Sequence, residues 1–188
     1  MRFFPILFVL FLTNLTSQSI DKSSFVQTEK GDFILNDKAY TYIGANYWYA
    51  AFIAMDQKGK ERIVRELDFL KEAGVLNLRL MASGEGPKTE PFRITPTLQE
   101  SVGDWNENVL VGLDFVLAEM GKRNMKGVLC LNNLFYWSGG MAQYVSWFTG
   151  EKIPYPEEHG WDAYMRFSAR FYTLPKATKL YNDLIEKL

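Results

Sequence analysis

Apolar positions along this chain switch between two spacings. Ile63, Leu67, Leu70 and Ala73 recur at the spacing of one helix face, so residues 59–73 are predicted to be helical, with Gly74 placed to cap the C-terminus. Val109, Leu113, Val116, Leu117 and Met120 mark a second helix over 109–122. Residues 75–81 and 126–131 are short, mainly apolar runs, as parallel strands covered on both faces are. Upstream, 33–35 and 39–44 flank Asn36-Asp37-Lys38 and predict a β-hairpin whose second arm runs into Asn46-Tyr47-Trp48-Tyr49. A loop rich in Gly, Pro and Thr is expected over 82–106, and a long aromatic loop after Leu131. Helices follow at 161–171 and from Pro175 onward, where Pro suits a first turn. Strand, helix, strand, helix, strand is an α/β order. A doubly wound open sheet and a (β/α)8 TIM barrel both fit it. The apolar residues Ile43, Leu78, Leu80, Val128 and Leu129 are expected on the inner face of the sheet.

The N-terminus adds a targeting signal. Met1-Arg2 carries a positive charge, residues 3–12 form an apolar run too short to span a bilayer, and Thr16-Ser17-Gln18-Ser19 supplies small residues for cleavage. Residues 1–19 are therefore expected to be a signal peptide and 20–188 the mature part, secreted to the extracellular space or periplasm without a stable membrane anchor. The acceptor sequence Asn14-Leu15-Thr16 would leave with the peptide. A net charge of −1 gives no basic surface for nucleic acid. The single cysteine, Cys130, forms no internal disulfide and reads as a small buried hydrophobe on its strand. The single histidine, His159, lacks the partners that a metal site or a triad needs, so neither metal nor cofactor is expected.

In both α/β architectures chemistry gathers beyond the carboxyl ends of the strands. Three consecutive ends carry Asn46 and Trp48, then Arg79, then Asn132-Asn133 with Phe135, Tyr136 and Trp137. "SGEGPKT" at 83–89 is no phosphate loop: its spacing is wrong, Pro87 removes a backbone donor and Glu85 would repel the anion. A sugar ring fits better. Aromatic rings take its C–H faces, and amides and charged groups take its hydroxyl rim. Hydrolysis of a glycosidic bond needs two carboxyl groups. Glu85, Glu90, Glu100, Asp104 and Glu107 all read as solvated loop charges, so no pair stands out.

"YIGANYWYA", "LNLRLMASGEG", "CLNNLFYWSGGMAQYVSW" and "FYTLPKATKLY" together resemble the first part of an endo-β-1,4-mannanase of glycoside hydrolase family 5, from about Phe25 onward. The resemblance implies an incomplete (β/α)8 barrel, about its first three β/α units, preceded by an N-terminal hairpin and ending before strand four. It implies a retaining mechanism whose acid/base and nucleophile glutamates follow strands four and seven, so no catalytic residue is expected within this chain. Arg79 matches the arginine that hydrogen-bonds the nucleophile. Asn46, Trp48, Arg79, Asn133 and Trp137 are the expected substrate-binding residues. Leu134 follows Asn133 directly and the Trp comes three residues later, which departs from the family's Asn-Asn-aromatic pattern. Glu85 fits the loop pattern without being read as catalytic. The implied partner is a β-mannan polysaccharide or oligosaccharide, and the full-length protein is expected to be a monomer. A β-glucanase of the same family and a non-catalytic carbohydrate-binding protein are the alternatives.

Overall fold

The computed structural model describes residues 25–188; the expected signal peptide at 1–19 and its glycosylation acceptor lie outside the described residues. The chain divides into two compact units at Thr41/Tyr42.

The first unit is a three-stranded antiparallel meander of β1 (Gln27–Glu29), β2 (Asp32–Leu35) and β3 (Lys38–Ala39). Its two-residue turns are Lys30-Gly31 and Asn36-Asp37, all four at positive φ. That backbone matches the twist of the flanking strands, and Asn, Asp and Gly tolerate it. The second arm of the hairpin ends at Ala39, because the chain then leaves to start a separate sheet.

That second sheet is parallel, in the order β4 (Ile43–Asn46), β5 (Val75–Met81) and β8 (Lys126–Cys130). Between β4 and β5 lie α1 (Ala50–Ile53) and α2 (Gln57–Glu72). Between β5 and β8 lie a small hairpin of β6 (Gln99–Ser101) and β7 (Asp104–Trp105), and then α3 (Glu107–Lys122). The carboxylate of Asp56 caps α2 by accepting from the Gly59 amide at 2.8 Å. The short α1 sits so close to α3 that a Cβ on Gly112 would lie 2.3 Å from the Ala51 carbonyl oxygen.

Side chains alternate across a strand, and this decides which face is which. Leu78 and Leu80 are fully buried in one core with Ile63 and Leu67 of α2 and Val116 and Met120 of α3. Leu78 and Leu80 thus face the helices, not the inner face expected for them. Leu129 lines a hollow beside Leu113 and Leu117, also on the helix side. The opposite face carries Asn77, Arg79 and Val128, which line an open groove with Gly44, Ala45 and Asn46. Val128 keeps its expected face but is 48 % exposed, and Ile43 is 68 % exposed beside a register shift between Ile43 and Gly44.

After β8 the chain turns through a 3-10 segment (Tyr136–Ser138) into α4 (Gly140–Thr149), α5 (Pro156–His159) and α6 (Trp161–Ala169). A second 3-10 turn (Arg170–Thr173) leads into α7 (Pro175–Lys187). These elements form a second core of Tyr144, Tyr155, Tyr164, Phe167 and Phe171. Much of the aromatic surplus is spent there, with neighbouring rings such as Tyr144 and Phe171 at 6.0 Å. The helix α4 was expected to be loop. Its Gly139-Gly140 start and its buried run Ala142 to Val145 give no one-sided apolar stripe, because α6 and α7 both pack on it.

Candidate functional site at the strand ends

Parallel pairing brings the last residue of β4 level with the middle of β5: Asn46 is in register with Arg79, and Arg79 with Val128. The Arg79 guanidinium donates to Asn46 Oδ1 at 3.3 Å and to Cys130 Sγ at 2.9 Å. Cys130 in turn directs its thiol to the Asn132 carbonyl at 3.1 Å. It is therefore a half-buried hydrogen-bonding group and not the inert buried hydrophobe expected, because its strand position points it at a charged neighbour. Arg79 is thus held from both flanking strands, with its charge on the open face.

Beyond β4 the chain is pinned. The Tyr47 amide donates to the Arg79 carbonyl at 2.9 Å, and the Met81 amide donates to the Trp48 carbonyl at 3.2 Å. The buried Tyr47 hydroxyl donates to Glu66 of α2 at 2.5 Å; burial and the adjacent carboxylate both push its pKa far up, so it stays a donor. Trp48 is left half-buried on the rim, with its ring centroid 5.0 Å from that of Trp137 at 58°. Four of the five expected binding residues therefore come together, as Asn46 with Arg79 and Trp48 with Trp137. The fifth, Asn133, is instead placed against the start of α4: its carbonyl oxygen occupies the space where residue 140 would carry a Cβ, and residue 140 is glycine at φ +60.

The loop after β5 differs most from expectation. Glu85 is fully buried and not a solvated charge. Its carboxylate accepts from the Gly140 amide at 2.9 Å and from the Tyr144 hydroxyl at 3.1 Å. Burial pushes its pKa up to about 7, against the opposing pull of those hydrogen bonds and of the Arg93 charge. Arg93 is buried beside it, donating to the Glu85 carbonyl, to Gln143 Oε1 at 3.0 Å and to the Tyr155 hydroxyl at 3.1 Å. Tyr155 donates on to Glu90 at 2.5 Å. The Glu85 and Ile94 amides donate to the Ser138 and Trp137 carbonyls at 3.0 and 2.8 Å, which joins this loop to the one carrying Trp137. Sequence reading missed this network because the partners that hold Glu85, Glu90 and Arg93 come from 50 to 65 residues downstream. The available signal was a lone acid between two glycines directly after a strand, with Arg93 close behind.

Comparison with known proteins bears on this geometry. Residues 23–188 match the family model described as GH family 5 beta-mannosidase-like. A tomato (Solanum lycopersicum) protein named mannan endo-1,4-beta-mannosidase 1 is 29% identical over 184 residues, covering 97% of this chain. An Arabidopsis thaliana protein of the same name is 31% identical over 128 residues, covering 67% of this chain and 29% of the relative. A crystal structure of a glycoside hydrolase family 5 mannosidase from Rhizomucor miehei superposes with a TM-score of 0.80 at 38% identity, covering 88% of this chain and 42% of that one. A mutant of that enzyme, solved in complex with mannosyl-fructose, gives a TM-score of 0.79 at 37% identity. The endo-1,4-beta-mannanase of the same organism shares the fold at a TM-score of 0.61 and 21% identity. This chain spans 41% of the length of the tomato relative.

Proposed function

Since the chain belongs to the glycoside hydrolase family 5 β-mannosidase-like proteins, we propose that it forms one side of the substrate cleft of a secreted β-mannoside hydrolase. The observation that carries this reading is the Arg79 guanidinium, fixed between Asn46 and Cys130 at the strand ends beneath the Trp48–Trp137 rim. The sheet supports an incomplete (β/α)8 barrel. Its strands follow chain order, α2 and α3 lie on one face only, and Asn77, Arg79 and Val128 face the side that further strands would close.

In this reading the two catalytic glutamates lie in the part of the relatives' length that this chain does not span. One protonates the leaving oxygen, and the other attacks the anomeric carbon to form a covalent intermediate that water then hydrolyses with retention. Arg79 holds the nucleophile ionised by offering it an adjacent positive charge. Trp48 and Trp137 take the apolar faces of mannose rings, while Asn46 and Asn133 take hydroxyls.

Substrate length admits a second reading. A Rhizomucor miehei mannosidase is 38% identical to this chain, and the tomato and Arabidopsis proteins named mannan endo-1,4-beta-mannosidase 1 are 29% and 31% identical. Mid-chain cleavage of β-mannan is the first reading, and release of single mannose units from short β-mannosides is the second. Chromatography of products from β-mannan and mannohexaose incubated with the full-length protein decides between them. Mannose alone at early times supports the exo reading, and mixed oligosaccharides support the endo reading. No product from either substrate overturns both.

A further inference from the structure

A buried acid lies beside the backbone that carries Trp137. The loop between β5 and β6 brackets the Trp137 backbone at three successive points. Ile94 N–H donates to the Trp137 carbonyl, Glu85 N–H to the Ser138 carbonyl, and the Glu85 carboxylate accepts from the Gly140 amide. The close approach is absolute at Gly139, where a Cβ would lie 2.1 Å from the Glu85 carbonyl oxygen. Trp48 is tied to the base of the same loop through Met81 N–H. The 5.0 Å spacing of the two tryptophan rings is therefore set by how this loop is clipped to the start of α4.

We propose that Glu85 is a positioning residue of the cleft, whose buried carboxyl group clips this loop to Gly140 and Tyr144 and so holds Trp137 against Trp48 for sugar binding. The proposal rests on the cleft reading above and adds its regulation. The groups facing the Glu85 carboxyl are Tyr144 of α4, Tyr181 of α7 and Arg93 of its own loop. Arg93 directs its hydrogen bonds to the Glu85 carbonyl, Gln143 and Tyr155, and the donors to the Glu85 carboxylate, the Gly140 and Gly84 amides and the Tyr144 hydroxyl, are all neutral. An ionised carboxylate buried without a hydrogen-bonded cation is costly, so ionisation draws in water and loosens the clip. Glutamine keeps the shape. Its carbonyl accepts from Gly140, and its amide can donate to a turned Tyr144 hydroxyl.

The test measures KM and kcat on mannohexaose at pH 6 and pH 8 for full-length wild type, Glu85→Gln, Glu85→Ala, Trp137→Ala and Glu85→Ala/Trp137→Ala. The clip predicts that Glu85→Ala raises KM about tenfold with kcat nearly unchanged, as losing buried hydrogen bonds to a binding element would. It predicts that wild-type KM rises between pH 6 and pH 8 while Glu85→Gln stays flat. It also predicts that Glu85→Ala adds nothing to Trp137→Ala. Should Glu85→Ala fail to fold, the pH comparison with Glu85→Gln carries the test. A raised KM in Trp137→Ala with parallel pH profiles for wild type and Glu85→Gln overturns the clip and leaves the cleft reading standing. Wild-type KM in Trp137→Ala overturns both.

Discussion

Replacing Glu85 by glutamine should make the folded protein more stable at alkaline pH, although it removes a group that accepts hydrogen bonds from Gly140, Gly84 and Tyr144. In the unfolded chain this carboxyl releases its proton near the ordinary value of 4.5; in the folded chain burial holds the proton to about 7. Between those values the native state binds more protons than the unfolded state, so stability falls as pH rises. The contribution is complete below about 4.5 and fully lost above about 7. A displacement of about 2.5 pH units, at ~1.36 kcal/mol each, amounts to about 3 kcal/mol. Most of that, about 2–3 kcal/mol, is spent between pH 5 and pH 8. Glutamine has no proton to lose, so its stability carries no such slope. Glu66, Asp68, Glu119 and Glu151 are held below the usual carboxylate range, and they lose their contributions as pH falls. They are common to both proteins and cancel in the difference. Urea unfolding of full-length wild type and Glu85→Gln, followed by tryptophan fluorescence at pH 5 and pH 8, reads the difference directly. The variant should gain about 2–3 kcal/mol relative to wild type between the two pH values. Parallel stability curves would show that the Glu85 carboxyl is solvated in the folded state and would refute the argument.

Three further outcomes are expected. Arg79→Ala should lower kcat and move the acidic limb of the kcat–pH profile to higher pH, since a carboxylate that loses a neighbouring cation holds its proton longer; an unmoved limb would detach Arg79 from the nucleophile. Trp48→Ala should weaken mannooligosaccharide binding by roughly 1–3 kcal/mol, read by calorimetry, and unchanged affinity would remove that ring from the cleft. Mass spectrometry of exported protein should find a mature start near Gln18 or Ile20, whereas an intact Met1 would contradict the export signal.

The framework was legible where local physics dictates it. The strand Val75–Met81 and the helix seeds Ile63, Leu67, Val116 and Met120 stand in the sequence as apolar runs and stripes that need no distant partner. Arg79 and Asn46 were legible because a charge and an amide at strand ends are costly unless they serve each other or a ligand. Three features depended on what arrives from elsewhere. The facing of Leu78 and Leu80 was set by α2 and α3, and apolar character alone does not tell one side of a sheet from the other. The helix α4 is stabilised by α6 and α7 and not by its own pattern. The burial of Glu85 follows from Gly140 and Tyr144, 55 and 59 residues downstream, and the flanking Gly84 and Gly86 with Arg93 close behind are the only local signal of it.

The central claim is that these strand ends belong to a retaining β-mannoside hydrolase. Proton NMR of mannohexaose, recorded during the first turnovers of the full-length protein, tests it most directly. The account predicts that the β anomer of the new reducing end appears first and then mutarotates, because a covalent intermediate inverts the anomeric carbon twice. First appearance of the α anomer, or no cleavage at all, would contradict it.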